Sequence, residues 1–454
     1  MPSTIHTTAL LTALHFTVDA LCACCVFMMS PLLGTIGAAV CFVLYNVLAF
    51  MTQPLVGLWI DAHRAGPKSF VAAVVLLLGG ALCTIVGLVP SGAAHHILMV
   101  VGLFLGVVLI GMGNSLFHVA GGRVVTLRSG NDLRHLGVFV SSGAVGLVVG
   151  AKLGSMMGLT AIAAMLVLLL WALLATESPR AVVAPCAPSV GAEGHSVASA
   201  VPASSGSTVP LLLSLLLVVF MRSWFGKVVP PSVEGFAPFA VVVALLAFAG
   251  KAGGGFVARR FGVERTLIVL LLAAAGCFLL TAYSWLWWMA MVLLINGTMA
   301  LTLHLANRLL PGREGLAFGL LAGVLFPGYL LGMFCATSAW AYALLFPLVA
   351  TIGIELLVLL VLLVLRERRW TVLAASVVMN IMTNVPLNLA ASRMPALQTS
   401  LPAQLAAEAV VVAVETVLFR IATGRWSTAA KYAMLCNAVS YLCGVCFCAV
   451  FNLF

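Results

Sequence analysis

Charge is what this chain has least of. Only 7% of its 454 residues are Asp, Glu, Lys or Arg, against 63% hydrophobic, whereas an ordinary soluble domain is about a quarter charged. The shortage excludes a soluble globular chain and makes lipid the solvent. Acidic residues are scarcest, 12 against 22 Lys and Arg, and the net charge of +10 sits in short clusters between apolar runs. That placement argues against a nucleic-acid surface and for the basic loops that orient membrane helices. The opening residues lack a basic segment followed by a short apolar core and a small-residue cleavage site. The first apolar run, Ala9 to Met29, is long enough to span, and we expect it to be a retained helix. No P-loop, HExxH helix, paired catalytic aspartates or serine and histidine arrangement occurs, so neither ATP as energy source nor an enzymatic reaction is expected. Cys443 and Cys446 form a CxxC, yet no second pair and no adjacent histidine stand at zinc spacing. The 12 cysteines therefore read as small packing residues, and neither a metal nor another cofactor is expected.

What the chain does have is apolar runs of about 20 residues, the length of a membrane-spanning helix. Six begin near Ala9, Gly34, Ser69, Ile97, Gly137 and Gly158. Residues 176–209, rich in Pro, Ser, Ala and Gly without apolar periodicity, read as a flexible linker. Six more runs begin near Pro210, Ala237, Thr266, Trp285, Gly315 and Ala341, and three follow over 370–391, 402–421 and 429–453. The expected fold is an all-α polytopic membrane protein. A six-helix bundle (1–175), the linker, a second six-helix bundle (210–369) and an extra three-helix module (370–454) make up its parts.

Lys and Arg follow spans two, four, eight, ten and twelve, with Arg180 in the linker, while most loops on the other side hold almost none. Cytoplasmic loops carry the basic excess, which puts the N-terminus and linker inside and, by count, the C-terminus outside. The halves also repeat each other. "GLWIDAHRAGPK" (Gly57, Asp61, Arg64, Gly66) follows span two, and "GFVARRFGVER" (Gly255, Arg260, Gly262) follows span eight.

Both loops resemble the Gly-x-x-x-Asp-Arg-x-Gly-x-Arg signature of the major facilitator superfamily. The first has two extra residues between Asp61 and Arg64, and the second has Arg259 where the family has Asp. "ALHFTVDAL", "GMGNSLFHVAGG", "GVFVSSGAVGLVVGAKLG", "MRSWFG" and "LLPGREGLAFGLLAGVLFPGYLLG", in that order, are together similar to the fosmidomycin-resistance branch over residues 9–365. The resemblance implies two bundles alternating access to a central site, the signature loops latching the cytoplasmic side, and export of a small anionic or drug-like molecule in exchange for protons.

Ionisable side chains in a span cost about +2.5 to +3.5 kcal/mol on insertion scales, so each is a candidate for function. His15 and Asp19 lie four apart on one face of the first helix. Asp19 is the expected proton carrier and His15 its relay, with a structural hydrogen-bond pair as the plain alternative. Asn114 and His118, again four apart, sit in a glycine-rich span and are candidates for substrate or proton contacts, or for bonding a neighbouring helix. Arg222, well inside span seven, suits an anionic group or a carboxylate such as Asp19. Lys152, nearer a helix end, and Glu355 in span twelve are further substrate-site candidates. The tail carries Asn380, Asn384 and Asn388 four apart, and Glu408 and Glu415 seven apart, which read first as interhelical hydrogen-bond glue. A protein-docking tail on a sensor or assembly subunit that no longer transports is the competing reading.

Overall fold

The computed structural model describes residues 4–63, 67–88, 95–176, 208–226, 239–337 and 401–450, with isolated positions between 351 and 400. Among the described residues all regular structure is helical, as lipid demands: a helix satisfies its own backbone donors and acceptors where no water can. Nine of these helices are long and apolar enough to cross a membrane, and the protein is an all-α, multi-pass membrane protein. Most of the linker expected at 176–209 and the span expected from Ala341 lie outside the described residues.

The elements are α1 (Thr4–Met29), α2 (Gly34–Asn46), α3 (Gln53–His63), α4 (Pro67–Leu88), α5 (His95–Ser129), α6 (Leu133–Lys152) and α7 (Met156–Thr176), followed by α8 (Thr208–Phe225), α9 (Phe239–Phe261) and α10 (Val263–Leu279). Then come α11 (Trp285–Asn296), α12 (Thr298–Leu309), α13 (Glu314–Gly323), α14 (Leu325–Thr337), α15 (Leu401–Thr423) and α16 (Trp426–Val450). A π turn over Val47–Met51 joins α2 to α3 within one apolar stretch, Gly34–His63.

Two compact units form. The first holds Met1–Ala198, Phe236–Leu271 and Val292–Phe326. In it α1 lies along α6 and α5, α6 packs on α9, and α3 packs on α13. The α1–α6 contact follows from glycine spacing. A Cβ on Gly146 would fall on the carbonyl of Phe16, and one on Gly150 on the carbonyl of Ala20, so the two backbones touch where no side chain intervenes. Gly146→Leu and Gly150→Leu are each expected to cost about 3 kcal/mol by overpacking. Gly154→Ala, whose new methyl would meet only ordinary contacts at 3.4 Å or more, is expected to leave the thermal midpoint in detergent unchanged.

The second unit holds Ser199–Gly235, Leu272–Met291 and Pro327–Phe454. Its described core joins Leu359, Val372, Met379, Phe419, Ala433 and Cys436, so the tail helices α15 and α16 share one apolar interior with the segment around residue 359.

Candidate functional site

Three helices of the first unit bring four polar side chains to one point. His15 and Asp19 come from α1, Asn114 and His118 from α5, and α6 contributes the carbonyl of Phe139. Asp19 is the sixteenth residue of the 26-residue α1, about 22 Å along its axis and far from either end. All four residues are buried, none more than 7% exposed. The imidazole Nε2 atoms of His15 and His118 are 2.9 Å apart. Asp19 completes the triangle, with Oδ2 3.3 Å from His15 Nε2 and Oδ1 3.5 Å from His118 Nε2. Asn114 Nδ2 donates to Asp19 Oδ1 at 3.1 Å.

The far ring nitrogens determine what the near ones can do. His15 Nδ1 lies 2.7 Å from the carbonyl of Phe139, and His118 Nδ1 lies 2.9 Å from the carbonyl of Asn114. A backbone carbonyl only accepts, so both Nδ1 atoms carry hydrogen. Each neutral ring then turns a lone pair from Nε2 into the same 2.9 Å gap. Two lone pairs repel, and a proton on either Nε2, or another cation in the gap, would relieve the repulsion, with the carboxylate beside it placed to balance the charge. Gly143 leaves the room for this, because a Cβ there would fall on Asp19 Oδ2 and stand 2.6 Å from His15 Nε2.

At one end of the first unit Asp61, at the end of α3, ties that helix to α13 and α5. Asp61 Oδ1 accepts from the backbone N–H of Gly315 at 3.0 Å, and Oδ2 from that of Leu316 at 2.8 Å, capping the start of α13. Arg123 Nε donates to the same carboxylate at 3.0 Å. A Cβ on Gly57 would fall on the backbone of Gly315, which is why α3 and α13 can meet there. Arg64 and Gly66 lie outside the described residues.

The second of the two repeated loops makes a similar contact with its charge reversed. A Cβ on Gly255 would fall on the backbone of Leu133 at the start of α6, as one on Gly57 would at the start of α13. Arg259, standing where the pattern has Asp, pairs with Asp132, the N-cap that accepts from Arg134 N at 2.9 Å. The acid has moved from the loop to the helix it caps. Gly262 ends α9 with φ +91°, a left-handed turn that glycine adopts without strain. The α5–α6 turn is tied further by His304 Nδ1 donating to the carbonyl of Asn131 at 2.8 Å and Asn307 Nδ2 donating to Asn131 Oδ1 at 3.1 Å.

Asp132, Asn131 and Asn307 escape a reading of the sequence; the only cue is the turn "SGNDLR" before α6. Burial, the largest influence on Asp132, raises its carboxyl, but donation from the Arg134 side chain and backbone and the charges of Arg134 and Arg259 outweigh it and hold it below the ordinary value. A depressed carboxyl stabilises the fold above its unfolded pKa of about 3.9 and loses that contribution as pH falls through the folded value. Stability is therefore expected to be flat from pH 6 to 8 on this account and to drop below about pH 4. Asp132→Ala, which removes the cap, is expected to cost about 1 kcal/mol in thermal unfolding at pH 7.

The remaining candidates do not join the cluster. Lys152 is the exposed last residue of α6. Arg222, on α8 in the second unit, is buried, and its Nη1 has no hydrogen-bond partner among the described residues. Glu355, also in the second unit, accepts from Ser376 Oγ at 3.2 Å and Asn380 Nδ2 at 2.6 Å. Asn384 Nδ2 donates in turn to Asn380 Oδ1 at 2.8 Å, and in a second polar group of the same unit Glu415 accepts from Thr383 Oγ1 at 3.0 Å and Asn437 Nδ2 at 2.5 Å.

No known family profile matches the chain, and no curated protein matches it in sequence. Solved structures do match. The Escherichia coli fucose:proton symporter FucP, as a single-site variant, aligns over 74% of this chain and 92% of its own with 15% identity and a TM-score of 0.53. FucP in the outward conformation, described as a major facilitator superfamily transporter, aligns over 74% and 93% at the same identity and TM-score. The chain thus has the fold of major facilitator transporters.

Proposed function

We propose that the protein is a proton-coupled secondary transporter working by alternating access. The observation that carries this reading is the buried His15–Asp19–His118 triangle midway along membrane helices, where secondary transporters keep their ion and substrate sites. Asp19 and His15 carry the proton, and His118 and Asn114 join them in contacting substrate. Asp61 and Arg259 hold the cytoplasmic end closed while the site faces out. Bundles 1–175 and 210–369 rock about the site, with linker 176–209 and the N-terminus in the cytoplasm and the C-terminus of module 370–454 outside a cell membrane. In its finer form the reading is export of a small molecule against proton entry. Resemblance to the fosmidomycin-resistance branch supports anionic or drug-like compounds, and buried Arg222 suits the anionic group.

The test is flux in proteoliposomes of the full chain under an imposed pH gradient, across small anions and antibiotics including fosmidomycin. Gradient-driven movement of any of them is the expected result. A chain that stays folded and moves nothing in either direction would favour the sensor or assembly role, with the tail as its docking element.

A further inference from the structure

We infer that His15, His118 and Asp19 form a binding site for a divalent transition-metal ion. The inference rests on the transport reading only for the ion's role, which would be cargo. Five observations converge.

The two imidazole Nε2 atoms stand 2.9 Å apart, and the Asp19 carboxylate faces them with Oδ2 3.3 Å from His15 Nε2 and Oδ1 3.5 Å from His118 Nε2. Atoms lying 2.0–2.1 Å from one ion at octahedral to tetrahedral angles are about 2.8–3.4 Å apart, so the two imidazoles already stand at ligand spacing and a turn of the carboxylate would bring one Asp19 oxygen to the same ion. The triangle is buried on all three residues. Both imidazoles already present Nε2 lone pairs, each ring oriented by an Nδ1–H donated to a backbone carbonyl; outer partners of this type set the tautomer of metal-bound histidine. Asn114 Oδ1, in a fully buried residue, has no hydrogen-bond partner among the described residues, and a rotation of the amide would offer it as a fourth ligand. The cradle stays open because Gly143 has no Cβ to fill it.

The donor set chooses the ion. Two imidazoles and one carboxylate with open positions suit Mn, Fe, Co, Ni or Zn in the divalent state, whereas Ca and Mg take oxygen ligands. An ion in the 2.9 Å gap leaves no space for a proton shared there, so metal entry and proton exit would be one exchange. A search for Cys and His at zinc spacing passes over this site, because its ligands come from two helices about a hundred residues apart.

The experiment uses the purified full chain in nanodiscs, titrated with Co²⁺ and followed by visible absorption, and with Zn²⁺ by calorimetry. One ion per chain is expected, with affinity falling at least 100-fold in His15→Gln and in His118→Gln and unchanged in His63→Gln, which removes an exposed histidine outside the cluster. X-ray absorption of the Zn²⁺ complex of the unaltered chain is expected to show two imidazoles, a result that needs no variant to fold. No binding, binding indifferent to both cluster variants, or a spectrum without two imidazoles would overturn the site. Metal binding without flux of any solute would uphold the site and sink the transport reading; flux of an organic anion without metal binding would do the reverse.

Discussion

Flux driven by a pH gradient is expected to fall at least 100-fold when Asp19 becomes asparagine, with the thermal midpoint shifting by only a few degrees. The substitution keeps the shape and an acceptor for Asn114 Nδ2, now 3.1 Å away, so the packing of α1 against α5 and α6 has no steric reason to change. What it removes is the charge beside two Nε2 atoms 2.9 Å apart. A cation bridging them then has no counter-charge within a buried site, and an uncompensated buried charge costs about 3–5 kcal/mol; each 1.4 kcal/mol is tenfold in population. The same measurement on His118→Gln is expected to show a comparable loss. Unaltered flux in Asp19→Asn would make the carboxylate a structural bond between helices and nothing more.

Asp61→Ala is expected to shift the protein away from the state described above by about 2–4 kcal/mol, the cost of stripping a partner from a nearly buried ion pair together with a helix cap. Asp61 and Arg123 are 7% and 14% exposed at their side chains, so water replaces little of what is lost. Gly315 and Leu316 lose their acceptor in the same step, and α13 begins with two unsatisfied donors. The conformational ratio moves by about 30-fold to 1,000-fold. Distances between spin labels on the exposed positions 62 and 313, in a chain with its native cysteines replaced, are expected to turn from one short population into a mixture dominated by longer separations. A distribution identical to that of the unaltered Asp61 protein would show that the loop ornaments this contact without holding it.

Much of this site can be read one helix at a time. The pairs His15 with Asp19 and Asn114 with His118 stand at helical spacing, which places each pair on one face, and the glycines at 143, 146 and 150 mark a face that can approach a neighbour closely. What spacing along one helix does not contain is which faces meet. That His15 and His118 point their Nε2 atoms at each other depends on Phe139 and Asn114 lending carbonyls, and backbone carbonyls leave no trace in side-chain identity. The second loop teaches the opposite lesson. Arg259 looks like damage to a motif until its partner is found on another helix, because an ion pair survives an exchange of signs. Glu355 is legible as a costly residue, but nothing along its own helix says that Ser376 and Asn380 receive it.

The Glu355 chain also sets an order of events for the ribosome and the membrane. As synthesis proceeds, the segment bearing Glu355 reaches the bilayer before Ser376, Asn380 and the two helices beyond them. Until those later segments arrive, it carries an acid into lipid without the two donors that meet it in the folded protein. A chain stopped at residue 370 would lack the Ser376 and Asn380 donors of Glu355, and it is expected to insert and fold in lower yield than the full chain even if its first unit is sound.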